Sequence, residues 1–272
     1  MRATLAQVAR FSYPWLTHAG IWRARTGRHN GGMTKPIFRG LTLDLDDTLW
    51  PVQATIRRAE QALLAWLAVQ APRTTVLHDA AAAKALREQL LAQHPEWRHD
   101  LSRLRLELLR AALTASGEDP ALAEPAFEVF LAERQNVTLF DDALPALARL
   151  SARYPVCALT NGNADIARIG IGRYFAGTVS ARDAGVMKPD PAIFLLACNS
   201  LRLPPAEVLH VGDDWAMDVQ GARQAGLRAA WVNRLGAEPP ARCDEDREPA
   251  AAPDAAVLHV NDLLALCERL GC

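Results

Sequence analysis

Four short stretches of this chain carry groups able to do chemistry together. They are Asp44-Leu45-Asp46-Asp47-Thr48, Thr160-Asn161-Gly162, Lys188-Pro189-Asp190-Pro191, and Gly212-Asp213-Asp214 followed by Asp218. Carboxylates gathered at one place repel one another unless a cation neutralises them. Oxygen-only donors suit Mg²⁺, which keeps several waters and takes one or two carboxylates plus a substrate phosphate. Asp190 is a natural N-cap and Pro191 a natural first helical residue, so Lys188 falls at a helix N-terminus. Lys188, Thr160 and the main-chain amides of the Asn161-Gly162 turn would then face an anion. Acids, a divalent cation, a lysine and an anion-holding turn together suggest phosphoryl transfer, in which the metal offsets repulsion between nucleophile and phosphate.

The elements that must position these groups alternate between strand and helix. Leu41–Leu45 alternates apolar and polar residues and reads as a buried strand ending in acids. Further strands are expected at 156–159, 178–180, 208–211, 229–232 and 257–260, with helices at 142–153, 163–169, 191–201, 216–225 and 261–270. Such alternation implies a parallel sheet covered by helices. Ligands of an open parallel sheet bind beyond the carboxyl ends of its strands, which brings all four stretches to one rim. Residues 52–135 hold almost no strand pattern. Ile56, Ala59, Leu63, Trp66 and Leu67 fall on one helical face, Leu101, Leu104, Leu108 and Ala112 on another, and Ala126, Val129 and Phe130 suggest a third. Gly117-Glu118-Asp119-Pro120 is a break between helices. The expectation is an insert of three or four helices after the first strand. Residues 236–256, rich in Pro, Ala and charge, read as a surface loop.

The four stretches resemble the four motifs of the haloacid-dehalogenase-like hydrolase superfamily. Asp44-Leu45-Asp46-Asp47-Thr48-Leu49 matches its DxDxT motif, Leu159-Thr160-Asn161-Gly162 its second, Lys188-Pro189-Asp190-Pro191 its third, and Gly212-Asp213-Asp214 with Asp218 its fourth. The resemblance covers about residues 37–270, in family order. It implies an α/β fold, with a Rossmannoid parallel-sheet core at 37–51 and 136–272 and an inserted all-helical cap of type 1 at 52–135. By the same resemblance Asp44 is the nucleophile that forms an aspartyl-phosphate. Asp46 protonates the leaving oxygen and then activates water. Asp44, the main-chain carbonyl of Asp46, and Asp213 hold Mg²⁺. Asp214 or Asp218 supports the metal, with the two unranked. Thr160 and Asn161 hold phosphoryl oxygens, and Lys188 neutralises charge on nucleophile and phosphate. Members that cleave carbon–halogen bonds typically lack an acid at the position of Asp46, so the resemblance implies phosphate chemistry. Sugar-phosphate mutases share all four motifs.

A narrower similarity runs to bacterial phosphatases of FMN and of 5-amino-6-(5-phosphoribitylamino)uracil phosphate. It rests on Ala158–Asn163, Leu209–Asp214 and the insert residues Trp97-Arg98-His99-Asp100. It implies a Mg²⁺-dependent phosphatase with Trp97, Arg98 and His99 as candidate specificity residues. Trp97 either stacks on a flat ring or packs in the insert. The alternatives are a phosphatase for a nucleotide, sugar phosphate or phosphoglycolate, and a catalytically idle protein of the same fold. Arg134, near the end of the insert, reads as a solvated arginine in preference to a substrate contact, His210 as a satisfied core histidine, and Trp215 as closing the site or packing.

Composition excludes several classes. The chain has 272 residues, 50% hydrophobic and 22% charged, which is ordinary for a globular protein. No run of about 18 apolar residues is present to span a membrane. Five cysteines without a CxxC pair suggest neither a disulfide scaffold nor a zinc site. A net charge of −1 argues against a nucleic-acid partner; the small-molecule phosphomonoester is the partner that the resemblance implies. Residues 1–43 carry seven Lys/Arg and no acid, against 23 basic and 31 acidic residues in the remainder. The tail at 1–36 is expected to lie outside the fold, with translation starting at Met33; an organelle transit peptide is the competing reading. Without a secretory signal or disulfide pattern, the cytoplasm is the expected location. Oligomeric state is not legible.

Overall fold

The computed structural model describes residues 38–74, 77, 79–238 and 257–272. The expectations for the tail at 1–36 and for most of the 236–256 loop lie outside the described residues. Six parallel strands form one sheet in the order β3-β2-β1-β4-β5-β6. They are β1 (Gly40–Leu43), β2 (Val156–Thr160), β3 (Gly177–Ser180), β4 (Val208–Gly212), β5 (Arg228–Val232) and β6 (Leu258–Val260). β1, β2 and β4 are buried at every position, as strands covered on both faces must be. Central β1 is in register with β2 through Leu43↔Ala158 and with β4 through Leu43↔Val211. The strand ends that precede Asp44, Asn161 and Asp213 therefore stand side by side.

Alternation along the strands splits the core into two apolar clusters. Leu41, Leu43, Val156, Ala158, Leu209 and Val211 pack with helices α5 (Ala143–Arg153) and α9 (Leu263–Leu270). Cys157, Leu159, Val208, Ala229 and Trp231 pack with the one-turn α6 (Ala181–Ala184), α7 (Pro191–Leu201) and the short α8 (Gly221–Gln224). Asp190 caps α7 by accepting from Ala192 N, with Pro191 in its first turn.

Between β1 and α5 the chain runs through α1 (Val52–Gln70), α2 (Ala80–Gln93), α3 (Leu101–Ala115) and α4 (Ala123–Gln135). Asp79 and Asp100 cap α2 and α3, and Asp119 caps the 3₁₀ turn Pro120–Leu122 that leads into α4. These helices bury a third apolar cluster of their own, built on Ala59, Leu63, Leu67, Leu109, Leu113, Ala126 and Phe130. Two of the four residues expected on the buried face of α3, Leu104 and Ala112, are buried, and two are not. Leu101 is exposed and Leu108 half-buried, while Leu104, Leu109, Ala112 and Leu113 are buried. Adjacent leucines at 108 and 109 fit either face, and packing against α4 selects the second.

Two expected helices differ. Residues 163–169 make only a single turn: Asp165 accepts from Ala167 N and Arg168 N, and Gly170 at φ 88 ends it. The stretch expected as one helix at 216–225 opens as a π-helical turn, Trp215–Gln220, before α8. Among the described residues no helix is long and apolar enough to cross a membrane.

Candidate active site

β1 ends at Leu43, and the next residue, Asp44, is 6% exposed. Its main-chain N–H donates to Val211 O at 2.9 Å, which ties it to the end of β4. Lys188 is 3% exposed, and its Nζ donates to Asp44 Oδ1 at 2.5 Å and to Asp218 Oδ1 at 2.6 Å. Thr48 donates through one hydroxyl to Asp213 Oδ1 at 3.0 Å and, more weakly, to Asp44 Oδ2 at 3.3 Å. Oxygens of Asp44, Asp213 and Asp218 all lie within 4.8 Å of one another.

Asp218 is the best satisfied of the three. Besides Lys188, its Oδ1 pairs with His210 Nε2 at 3.0 Å, and its Oδ2 accepts from Asp214 N at 3.0 Å. His210 Nδ1 in turn meets Thr42 Oγ1 at 2.8 Å, so a buried chain of polar groups crosses from β1 through β4 to the fourth motif. A Cβ built on Gly212 would lie 2.3 Å from Asp218 Cγ, so only glycine admits this carboxylate. The Asp214 side chain is used differently, its Oδ1 accepting from Met217 N to cap the π-helical turn. Of the two unranked acids, Asp218 therefore stands in the cluster and Asp214 at its edge.

One lysine cannot balance three carboxylates. Burial pushes the Asp44 carboxyl well above its usual range; Lys188 opposes this, and Asp218 and Asp213 add to it. Burial, then the charge of Asp218, pushes Asp213 up to about 7. Burial would raise Asp218 too, but Lys188 and His210 outweigh it and hold that carboxyl below its ordinary value. Burial works against the Lys188 ammonium, yet Asp218 and Asp44 together hold its pKa above the usual lysine value. The site as built is short of positive charge, which is the condition for divalent-cation binding by oxygen donors.

The second motif sits beside this cluster. Thr160 Oγ1 accepts from Gly162 N at 2.9 Å and shapes the turn. The Asn161 side chain reaches Lys188. Its Oδ1 accepts from Lys188 N at 2.7 Å and its Nδ2 donates to Lys188 O at 3.1 Å, which ties the second motif to the third. Asp46 points away from the acid cluster. It accepts from Trp50 Nε1 at 2.9 Å and from Arg134 Nη2 at 2.7 and 2.8 Å. Arg134 is thus no solvated arginine: it is 1% exposed and reaches Asp46 from α4. No motif marks it, because its partner is 88 residues away.

A family model described as haloacid dehalogenase-like hydrolase matches residues 38–226. The chain belongs to this family. Over 204 residues it is 33% identical to the 5-amino-6-(5-phospho-D-ribitylamino)uracil phosphatase YigB of Escherichia coli (strain K12), covering 73% of this chain and 85% of that one. It is 35% identical over 165 residues to a phosphoserine phosphatase of Thermus thermophilus, covering 58% and 62% of the two chains. The crystal structure of a 2-haloacid dehalogenase from Pseudomonas syringae pv. Tomato DC3000 superposes with a TM-score of 0.78 at 38% identity, over 86% of this chain and 98% of that one.

This hydrolase also has a cleft of about 340 Å³ beside the second motif, lined by His99, Ser102, Gln135, Asn163, Arg182 and Asp183 among others. Insert and sheet side meet around it: Asn163 Nδ2 donates to Ser102 Oγ at 3.2 Å, and Arg182 lies 3.6 Å from Asp100. Of the three candidate specificity residues only His99 lines this cleft. Arg98 is exposed, and Trp97 stacks on His94 at 3.9 Å between ring centroids. Trp215 packs edge-on against Trp231, whose Nε1 donates to Asp213 O at 2.7 Å.

Proposed function

We propose that this hydrolase is a Mg²⁺-dependent phosphatase that cleaves a small-molecule phosphomonoester through an aspartyl-phosphate on Asp44. 5-Amino-6-(5-phosphoribitylamino)uracil phosphate and FMN are the first substrates to try. The observation that carries the reading is the pair of acids with divided labour. Asp44 is buried against Lys188, while Asp46, two residues on, is turned out of the acid cluster. In the first step an Asp44 oxygen bonds to phosphorus, the bond to the alcohol oxygen breaks, and Asp46 gives that oxygen a proton. In the second, Asp46 takes a proton from water, the water oxygen bonds to phosphorus, and the Asp44–phosphorus bond breaks. Lys188 offsets charge on both carboxylate and phosphate, and Thr160 at the end of β2 would donate its hydroxyl to a phosphoryl oxygen. Asp44, Asp213 and the main-chain carbonyl of Asp46 would hold Mg²⁺, which supplies the positive charge that the cluster lacks. Asp218 acts from behind, fixing Lys188.

The similarity to the Pseudomonas syringae dehalogenase favours a second reading, carbon–halogen cleavage by the same Asp44. A halide leaves without a proton, so that chemistry does not call for an acid held at the position of Asp46. A release assay separates the two. With Mg²⁺ we expect phosphate from the panel of FMN, the ribitylamino-uracil phosphate, phosphoserine, nucleotides and sugar phosphates, abolished by EDTA, and no halide from 2-chloropropionate. Halide release that survives EDTA, without phosphate release, would replace this reading by the second.

A further inference from the structure

Arg134 is buried for the sake of one partner. Its Nη2 donates to both oxygens of Asp46, while Nε and Nη1 are buried without any partner. Among the described residues Asp46 is therefore the acceptor this guanidinium serves. Burying an arginine is costly unless its pairing geometry is good. Asp46 is clamped from other sides as well. Trp50 Nε1 holds Oδ1, and a Cβ on Gly162 would lie 2.6 Å from Oδ2 and 3.4 Å from Arg134 Nη2. Asp46 nonetheless keeps 22% of its side chain exposed, so it is held in place and still reachable.

The geometry points to Arg134 as a positioning residue for proton transfer: it fixes the direction in which Asp46 presents its carboxyl to the leaving oxygen. This rests on the phosphatase reading above. As the Asp44–phosphorus bond forms and the phosphorus–alcohol bond breaks, the proton passes from Asp46 to the departing oxygen. Arg134 keeps its own protons throughout. The proton-transfer group is thus built jointly, with its carboxylate on the turn after β1 and its orienting cation on α4.

The test uses leaving groups of different need. An alkyl alcohol requires a proton as it departs, whereas p-nitrophenolate does not. kcat/KM reports the steps up to formation of the phosphoenzyme. In Arg134→Met, the ratio of kcat/KM for β-glycerophosphate to that for p-nitrophenyl phosphate should fall about 10²-fold. Arg134→Lys should recover part of that ratio, and it carries the test should the Met variant fail to fold. In an Asp46→Asn background, Arg134→Met should change the ratio by less than about twofold. Equal losses on both esters, or a full further loss in the double variant, would overturn the inference, because a packing or phosphate-binding role behaves that way. Phosphate release from neither ester by the unmodified protein would instead remove the phosphatase reading itself.

Discussion

Asp44, Lys188 and Asp218 are each less than a tenth exposed and share hydrogen bonds among themselves. A few residues away, the cleft bounded by His99, Ser102, Asn163 and Arg182 is lined mainly by partly exposed side chains from loops, helix starts and a strand end. The first region is held by strand register: three adjacent strands end together, and each hands one polar segment to the rim. The second is held by contacts between insert and sheet side, such as Asn163 to Ser102 and Arg182 to Asp100. Register tolerates little displacement, whereas surface contacts can be exchanged one at a time. On the proposed function the rim would carry the reaction, and the cleft is where differences in substrate would be written.

Substitutions should divide along that line. The largest effect is expected at the rim. Asp44→Asn keeps the shape but removes the nucleophile, and should cost about 10⁴-fold or more in kcat on every phosphate ester. A loss confined to some esters would deny Asp44 a common role. Gly162→Ala comes next, because its methyl group would press on Asp46. With melting temperature unchanged, kcat should drop by about 10²-fold. An active Gly162→Ala enzyme would show that Asp46 is free to move.

In the cleft the expected effects are smaller and of another kind. Arg182→Ala should raise KM by about 10-fold for large substrates and leave p-nitrophenyl phosphate within about twofold. A uniform fall in kcat would place Arg182 with the rim. Trp97→Ala should reduce turnover of FMN and of ringless phosphates alike, since its ring already stacks on His94. A loss specific to FMN would restore Trp97 as a ring-binding residue.

The smallest effect concerns the support behind the rim. Arg234 donates to Thr48 O and to Asp142, which also accepts from Leu263 N. Burial would raise the Asp142 carboxyl, but these donors outweigh it and hold it below its ordinary value. A carboxylate with a depressed folded pKa stabilises the fold above its unfolded pKa, and that contribution fades as pH falls through the folded value. Asp142→Asn should therefore lower the melting temperature near neutral pH and narrow its gap to the parent as the solution is acidified below about pH 4. A gap that stays constant with pH would assign Asp142 to packing alone.

The division also explains what the sequence made legible. The placing of Asp44, Asp46, Thr160, Lys188 and Asp213 at one rim was legible because each lies at a strand end or just ahead of a helix, where the parallel sheet dictates the spacing. The acids at 214 and 218 could not be ranked by spacing. What separates them is the reach of Lys188 and His210 to one and the helix-capping bond of the other. Arg134 was misread as solvated because its partner lies on another element and leaves no local pattern. On α3, Leu109 is buried in place of Leu108 because the two are chemically equal and only the neighbouring helix chooses between them. Trp97 could not be assigned from its type, since the ring that occupies it, His94, is as plausible a neighbour as any substrate.

On the proposed mechanism the phosphoryl group passes through Asp44. The direct measurement is to quench the enzyme during turnover of a phosphate ester, reduce any acyl phosphate with borohydride, and sequence the peptides by mass spectrometry. Homoserine is expected in place of Asp44, and none when substrate is omitted. Steady release of phosphate with Asp44 recovered unchanged from every quench would contradict it.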